Sequence, residues 1–145
     1  MQVQSYLFFN GRCDEALEFY ASKLGAKVEQ RMSFADNPDL GAGEGCAGAM
    51  LPPGFEHKVM HASVRIGETV LLASDGMEPK APEFKGIALA LTVDDAAAAE
   101  RCFSALAEGG QVQMPLGPSF FSPAFGCVAD RFGVNWMVVA EAAQS

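Results

Sequence analysis

Apolar and polar positions along the chain fall into two successive series that run in the same order. Val3 to Phe9 is short, apolar and β-prone and ends at Asn10-Gly11, which predicts a strand closed by a loop. Leu17, Tyr20, Ala21 and Leu24 then recur at i, i+3, i+4 and i+7, the period of an amphipathic helix, with Asp14 and Glu15 in its first turn and Gly25 as its stop. Ala26 to Phe34 returns to a strand pattern, setting Val28, Gln30 and Met32 opposite Lys27, Glu29 and Arg31. Met60 to Asp75 reads as a β-hairpin, which completes a βαβββ order.

The second series repeats the first. Ile87 to Val93 predicts a strand, Asp94 and Asp95 can cap a helix, and the alanine-rich run through Phe103 and Leu106 stops at Gly109. Val112 begins another strand, and Phe125 to Glu141 predicts a hairpin about Arg131-Phe132-Gly133. Leu7 and Leu91, Phe19 and Phe103, Gly25 and Gly109, and Val28 and Val112 are each 84 residues apart. In the hairpins, Arg65 and Arg131, Gly67 and Gly133, Val70 and Trp136, and Leu72 and Val138 are each 66 apart. The difference, 84 − 66 = 18, puts about 18 extra residues into the first half, between Ala35 and roughly Glu56, where Gly, Pro and Asp are frequent. The expected fold class is therefore α+β, two tandem βαβββ modules in one domain over residues 1–145. Module 1 covers about 1–75, the linker with Pro79 and Pro82 about 76–85, and module 2 about 86–145. Any site is expected where the halves meet.

Composition narrows the function classes. A chain of 145 residues that is 50% hydrophobic can bury a core without staples. A net charge of −8 and a pI near 4.6 speak against a phosphate-backbone partner, so no nucleic acid is expected. The N-terminus has no secretory pattern, and no window approaches the roughly 20 apolar residues of a membrane span. Cys13, Cys46, Cys102 and Cys127 have neither disulfide-framework nor zinc-site spacing, and a reducing cytoplasm is the expected location.

Candidate chemistry is sparse. Asp39-Leu40-Gly41-Ala42-Gly43-Glu44-Gly45 has the spacing of a nucleotide-binding glycine loop, but it follows a turn rather than a buried strand and reads as a flexible loop. His57 and His61 would lie about 13 Å apart on one strand face, too far to share a metal. His61 aligns with Cys127 at the offset of 66; it is either a hydrogen-bonded, half-buried histidine or a ligand-contacting, proton-transferring one. Cys127 reads as an inert thiol. Tyr6, Phe8, Phe9, Met114, Phe120, Phe121, Phe125 and Trp136 form an aromatic and thioether set divided between core and an apolar pocket, with Tyr6, Ser63 and Trp136 as polar handles. The expected ligand-binding residues are Tyr6, Phe8, His61, Ser63, Met114, Phe121, Phe125, Cys127 and Trp136, with His61 the one catalytic candidate.

Several segments carry a resemblance. Tyr-Leu-x-Phe-Asn-Gly, Glu-Ala-x-Glu-Phe-Tyr, Val-Met-His-Ala, Ala-Ser-Asp, Val-Asp-Asp, Met-Pro-Leu and Asp-Arg-Phe-Gly-Val-x-Trp resemble the PhnB-like branch of the vicinal oxygen chelate superfamily of glyoxalases, bleomycin-resistance proteins and dioxygenases. That branch also carries the label 3-demethylubiquinone-9 3-methyltransferase-like. The resemblance implies two βαβββ modules curled into open cups around a cavity, in a homodimer. It also implies metal ligands on the first and last strand of each module. Here those positions fall near Gln4 and Ala88, and near Leu71 or Leu72 and Met137 or Val138; a slip of one residue brings in Ser5 and Leu89. Only Gln4 among them has a metal-binding side chain, so neither the usual metal nor any cofactor is expected.

Three readings follow: a homodimer binding a small neutral or cationic molecule in an apolar cup; a metal-independent or atypical-metal lyase, transferase or isomerase using His61 as acid or base; and a purely structural protein whose cup is filled by side chains.

Overall fold

The computed structural model describes residues 1–36, 54–76 and 83–142. The glycine loop at 39–45, Cys46 and most of the linker lie outside the described residues. The chain divides into two compact units, Met1–Pro82 and Glu83–Ser145. The first contains β1 (Tyr6–Phe8), α1 (Cys13–Leu24), β2 (Lys27–Ser33), β3 (Val59–Ile66) and β4 (Thr69–Ser74); the second contains β5 (Leu89–Val93), α2 (Ala96–Ala107), β6 (Gln111–Gly117), β7 (Phe125–Ala129) and β8 (Asn135–Ala140). Each unit is a βαβββ module whose open four-stranded sheet has the order first, last, third, second: β1-β4-β3-β2 and β5-β8-β7-β6. In both, the first strand runs parallel to the last and the other pairs are antiparallel.

One face of each sheet carries the helix. In module 1, Leu7, Ala62, Val64, Leu71 and Ala73 are buried there with Cys13, Ala16, Leu17 and Tyr20 of α1. The buried helix residues are thus 13, 16, 17, 19 and 20, rotated from the expected stripe, and Ala21 is exposed. Burying such side chains contributes roughly 1.5–3 kcal/mol for each large one. In module 2, Val128, Trp136 and Val138 are buried on the helix face, and a Cβ on Gly126 would lie 2.8 Å from the ring of Phe103, so only glycine lets α2 approach this closely.

Helix ends are held in different ways. Asp95 caps α2 conventionally, accepting from the Ala98 N–H at 2.8 Å. Arg12 at the α1 N-cap makes no side-chain cap, and a residue remote in sequence takes that role. Asp75, just after β4 and 1% exposed, accepts from the N–H groups of Gly11 (2.7 Å) and Cys13 (2.8 Å) with Oδ1 and from Val59 (2.7 Å) with Oδ2. It ties the helix start to β3 and β4. Burial, and secondarily the Asp75 charge, push the Cys13 thiol well above its usual range, so this buried sulfur stays protonated.

The strand pairings revise the hairpin offset of 66. Val28 pairs with Val64 and Val112 with Val128; Gln30 pairs with Ser63 and Met114 with Cys127. β2 and β6 therefore match at 84, whereas β3 and β7 match at 128 − 64 = 64. Ala73 pairs with Leu7 and Val138 with Leu91, so β4 and β8 match at 138 − 73 = 65. The two turns differ by one residue. Gly67-Glu68 is a two-residue turn with positive φ (58°) at its first position, whereas Arg131-Phe132-Gly133 is a three-residue turn with positive φ (87°) at its last, closed by the Asp130 N–H to Val134 oxygen bond at 2.9 Å. Matching the two glycines therefore misplaces both strands. The true counterpart of Cys127 is Ser63, that of His61 is Phe125, and the first-module insertion is 84 − 64 = 20 residues.

Candidate functional site

Alternation along the strands places one set of the expected residues on the sheet face away from α1. Tyr6, Leu72, Ser63 and Gln30 form one row in register across β1, β4, β3 and β2. Two residues further along β1 stands Phe8, and His61 pairs with Met32. The Tyr6 and Phe8 rings stack with centroids 5.0 Å apart and an interplanar angle of 28°, and they remain 40% and 51% exposed. The Tyr6 hydroxyl lies 2.9 Å from His61 Nδ1, with ring centroids 5.6 Å apart. An open-face phenol is thereby hydrogen-bonded to an imidazole tilted 44° from it, and the imidazole Nε2 is left as a second hydrogen-bonding point. Burial raises the Tyr6 pKa, so the phenol remains protonated and able to donate at neutral pH.

Module 2 presents a different surface at the matching place. The row equivalent to Tyr6, Leu72, Ser63 and Gln30 is Ala90, Met137, Cys127 and Met114. Phe125 stands two residues from Cys127, and Phe121 packs edge-on against it at 5.0 Å. Phe120 packs edge-on against Phe121 at 5.1 Å and is fully exposed. Met114, Phe121, Phe125 and Cys127 therefore share an apolar surface with no hydroxyl or imidazole anchor.

Trp136 departs from the expected role. It borders the module 2 pocket, yet it lies on the α2 face, is 3% exposed, and donates its indole N–H to Asp130 Oδ2 at 2.9 Å. Asp130, itself buried, also accepts from the N–H groups of Phe132 (2.9 Å) and Val134 (3.0 Å). The tryptophan is thus part of the clasp that closes the hairpin, and it is not a polar handle for a ligand. The offset of 66 concealed this by matching it to Val70.

Two residues the sequence reading passed over complete the module 2 site. Gln113 is the extra residue of a β-bulge between the pairs Val112–Val128 and Met114–Cys127, so simple alternation misassigns its face. It donates from Nε2 to Asn135 Oδ1 at 3.0 Å, and both line an open pocket of about 380 Å³ with Ile87, Ala88, Cys127 and Met137. The same bulge in module 1 carries Glu29, which pairs with Arg65 at 3.0 Å. Equal bulges 84 residues apart were the available signal, hidden by the hairpin misalignment.

A divalent metal does not fit the positions that the family resemblance assigns to its ligands. With the corrected register, Leu72 corresponds to Met137, and Gln4 to Ala88. The Gln4 amide already donates to the Val70 carbonyl at 3.2 Å. Leucine, methionine and alanine offer a hard or borderline cation no oxygen or imidazole donor. Among the described residues no three His, Cys, Asp or Glu side chains gather into a group able to hold a metal ion. Among the same residues no helix is long and apolar enough to cross a membrane.

Paired βαβββ modules, identical strand orders and an open face on each sheet define the class. The chain belongs to the Glyoxalase/Bleomycin resistance protein/Dioxygenase superfamily, matching it over residues 2–138. Within it, the chain is 32% identical over 140 residues to protein YjdN of Escherichia coli K12, covering 95% of this chain and 94% of that one. It is also similar to the crystal structure of PA1353 from Pseudomonas aeruginosa, with 43% identity and a TM-score of 0.80 over 97% of this chain and 98% of that one. The PhnB protein of Bacillus cereus is 25% identical with a TM-score of 0.77, over 97% and 99% of the two chains, in keeping with the PhnB-like character of the sequence.

Proposed function

We propose that this chain binds a small organic molecule on the open face of its first sheet, with the hydrogen-bonded Tyr6–His61 pair as the polar anchor. The observation that carries the reading is that pair: an exposed phenol and an imidazole held at 2.9 Å beside a stacked Tyr6–Phe8 platform. Aromatic faces take a planar or cationic group, and a net charge of −8 favours a neutral or cationic ligand over an anion. Ser63 lies in register beside the pair and supplies a further hydroxyl. On the second sheet, Met114, Phe121, Phe125 and Cys127 offer an apolar surface without such an anchor.

Binding proceeds without the superfamily's usual metal, a reading supported by the donor-poor set Gln4, Leu72, Ala88 and Met137. We further propose a homodimer in a reducing cytoplasm, supported by exposed apolar residues such as Phe8, Phe120 and Phe121 and by the free thiols Cys13, Cys102 and Cys127. The Tyr6–His61 bond also favours a second reading, in which His61 moves a proton on the bound molecule in an isomerase, lyase or transferase reaction.

A thermal-shift screen of neutral and cationic aromatic metabolites and antibiotics, run in chelator, tests the first reading, because a ligand bound only by the folded state raises Tm by mass action. The expected result is a class of compounds whose shift disappears in His61→Ala. Turnover of a hit that also disappears in His61→Ala would establish the second. One stoichiometric divalent ion per chain in protein purified without chelator would remove the metal-free part.

A further inference from the structure

The geometry points to a second, chemically distinct subsite on module 2: the pocket bounded by Gln113 and Asn135 takes a neutral planar molecule with an adjacent hydrogen-bond donor and acceptor, as in a lactam or cyclic imide. It rests on the reading that the protein takes a small molecule, but its anchor shares no residue with the Tyr6–His61 pair.

The hydrogen bonds of Asn135 set those of Gln113. Asn135 opens β8, and its Nδ2 donates to the carbonyls of Phe84 (2.5 Å) and Ile87 (3.3 Å). Both amide hydrogens are thereby used, which fixes the orientation of the group and turns Oδ1 toward Gln113. Gln113 must answer with an N–H, as it does at 3.0 Å. Its second N–H and its Oε1 then remain, a donor and an acceptor on one planar amide. The bulge re-aims this side chain into the pocket, and Asn135 keeps it from rotating.

The rest of the pocket offers a charged group no partner. Its volume of about 380 Å³ suits a one- or two-ring molecule, and Ile87, Ala88, Cys127 and Met137 supply apolar and sulfur contacts. Among the described residues no Asp, Glu, Lys, Arg or His lines it. An ionised ligand group would find no partner of opposite charge there, whereas an amide edge would satisfy both remaining positions of Gln113.

Oxindole, a bicyclic lactam, is titrated against indane, its apolar isostere, and indane-2-carboxylate, its anionic analogue. Binding is followed by calorimetry and by the side-chain amide ¹⁵N–¹H signals of Gln113 and Asn135. The expected result is saturable movement of those signals and binding of oxindole about tenfold or more tighter than either analogue. Gln113→Leu is expected to bring oxindole down to the affinity of indane, and Gln113→Glu, which keeps the size and fold of the residue, is expected to do the same. His61→Ala is expected to leave oxindole binding unchanged, so failure here and failure of the Tyr6–His61 anchor are read separately. No oxindole binding, equal binding of the analogues, or a preference that survives in the Gln113 variants would overturn the proposal.

Discussion

The Tyr6 hydroxyl and His61 Nδ1 lie 2.9 Å apart although 55 residues separate them in the chain. The sheet order β1-β4-β3 makes the phenol reach across β4, a span of roughly 10 Å between strand axes. A tyrosine is long enough for this and a serine is not. Tyr6→Phe keeps the stack on Phe8 and removes only the hydroxyl. It is expected to weaken ligand binding about tenfold while changing stability by less than about 1 kcal/mol, since both groups are accessible to water. Calorimetry and thermal melts on the same samples check both halves; unchanged affinity would remove Tyr6 from the anchor.

Asp75 is expected to dominate the stability of the first module. Asp75→Ala leaves the N–H groups of Gly11, Cys13 and Val59 without their buried acceptor, and should cost about 3 kcal/mol or more. Asp75→Asn should also destabilise, because one of the three donors then faces an N–H. Denaturant unfolding gives the size, and faster amide exchange at those three residues gives the place. Loss of less than about 1 kcal/mol in Asp75→Ala would show that the helix start does not depend on it.

A pH dependence follows from Asp14. Arg31 donates to both its oxygens at 2.7 Å, and this hydrogen bonding, with only partial burial opposing it, holds the carboxyl below its ordinary value. A depressed folded value means that the stabilisation is fully present above the unfolded pKa near 3.9 and fades as pH falls through the lower folded one. The pair is largely exposed, so solvent screening limits it to about 0.5 kcal/mol. Asp14→Asn should therefore cost about that much at pH 7 and nothing measurable at pH 2.5. A cost that persists at the lower pH would assign it to something other than charge.

Trp136 is the sole tryptophan and reports on the hairpin clasp. Its emission should be blue-shifted and poorly quenched by acrylamide. Asp130→Asn, which keeps one oxygen and sets an NH2 against either the indole or the two backbone N–H groups, should redden the emission and lower Tm. Quenching as efficient as that of a free indole would contradict a core position.

Much of the fold was legible because helix and strand periods are local. The helices, the Asp95 cap and the βαβββ order could all be read from spacing. The hairpin register could not, because Gly67 and Gly133 occupy opposite ends of turns of unequal length, and a glycine pattern records positive φ without recording turn length. That slip tied His61 to Cys127 and hid Trp136 among the ligand candidates. Of the candidate site, Tyr6 and His61 were individually apparent, but their contact depends on strand order. Gln113 and Asn135 were missed because a bulge breaks the alternation on which face assignment rests.

The most direct measurement is calorimetric titration, in chelator, of the compound with the largest thermal shift into the unmodified protein, Tyr6→Phe and His61→Ala. Saturable binding of one molecule per chain with no added metal is expected, weakened about tenfold or more in each variant. Binding that appears only with a stoichiometric divalent ion, or that is equally tight in all three proteins, would contradict it.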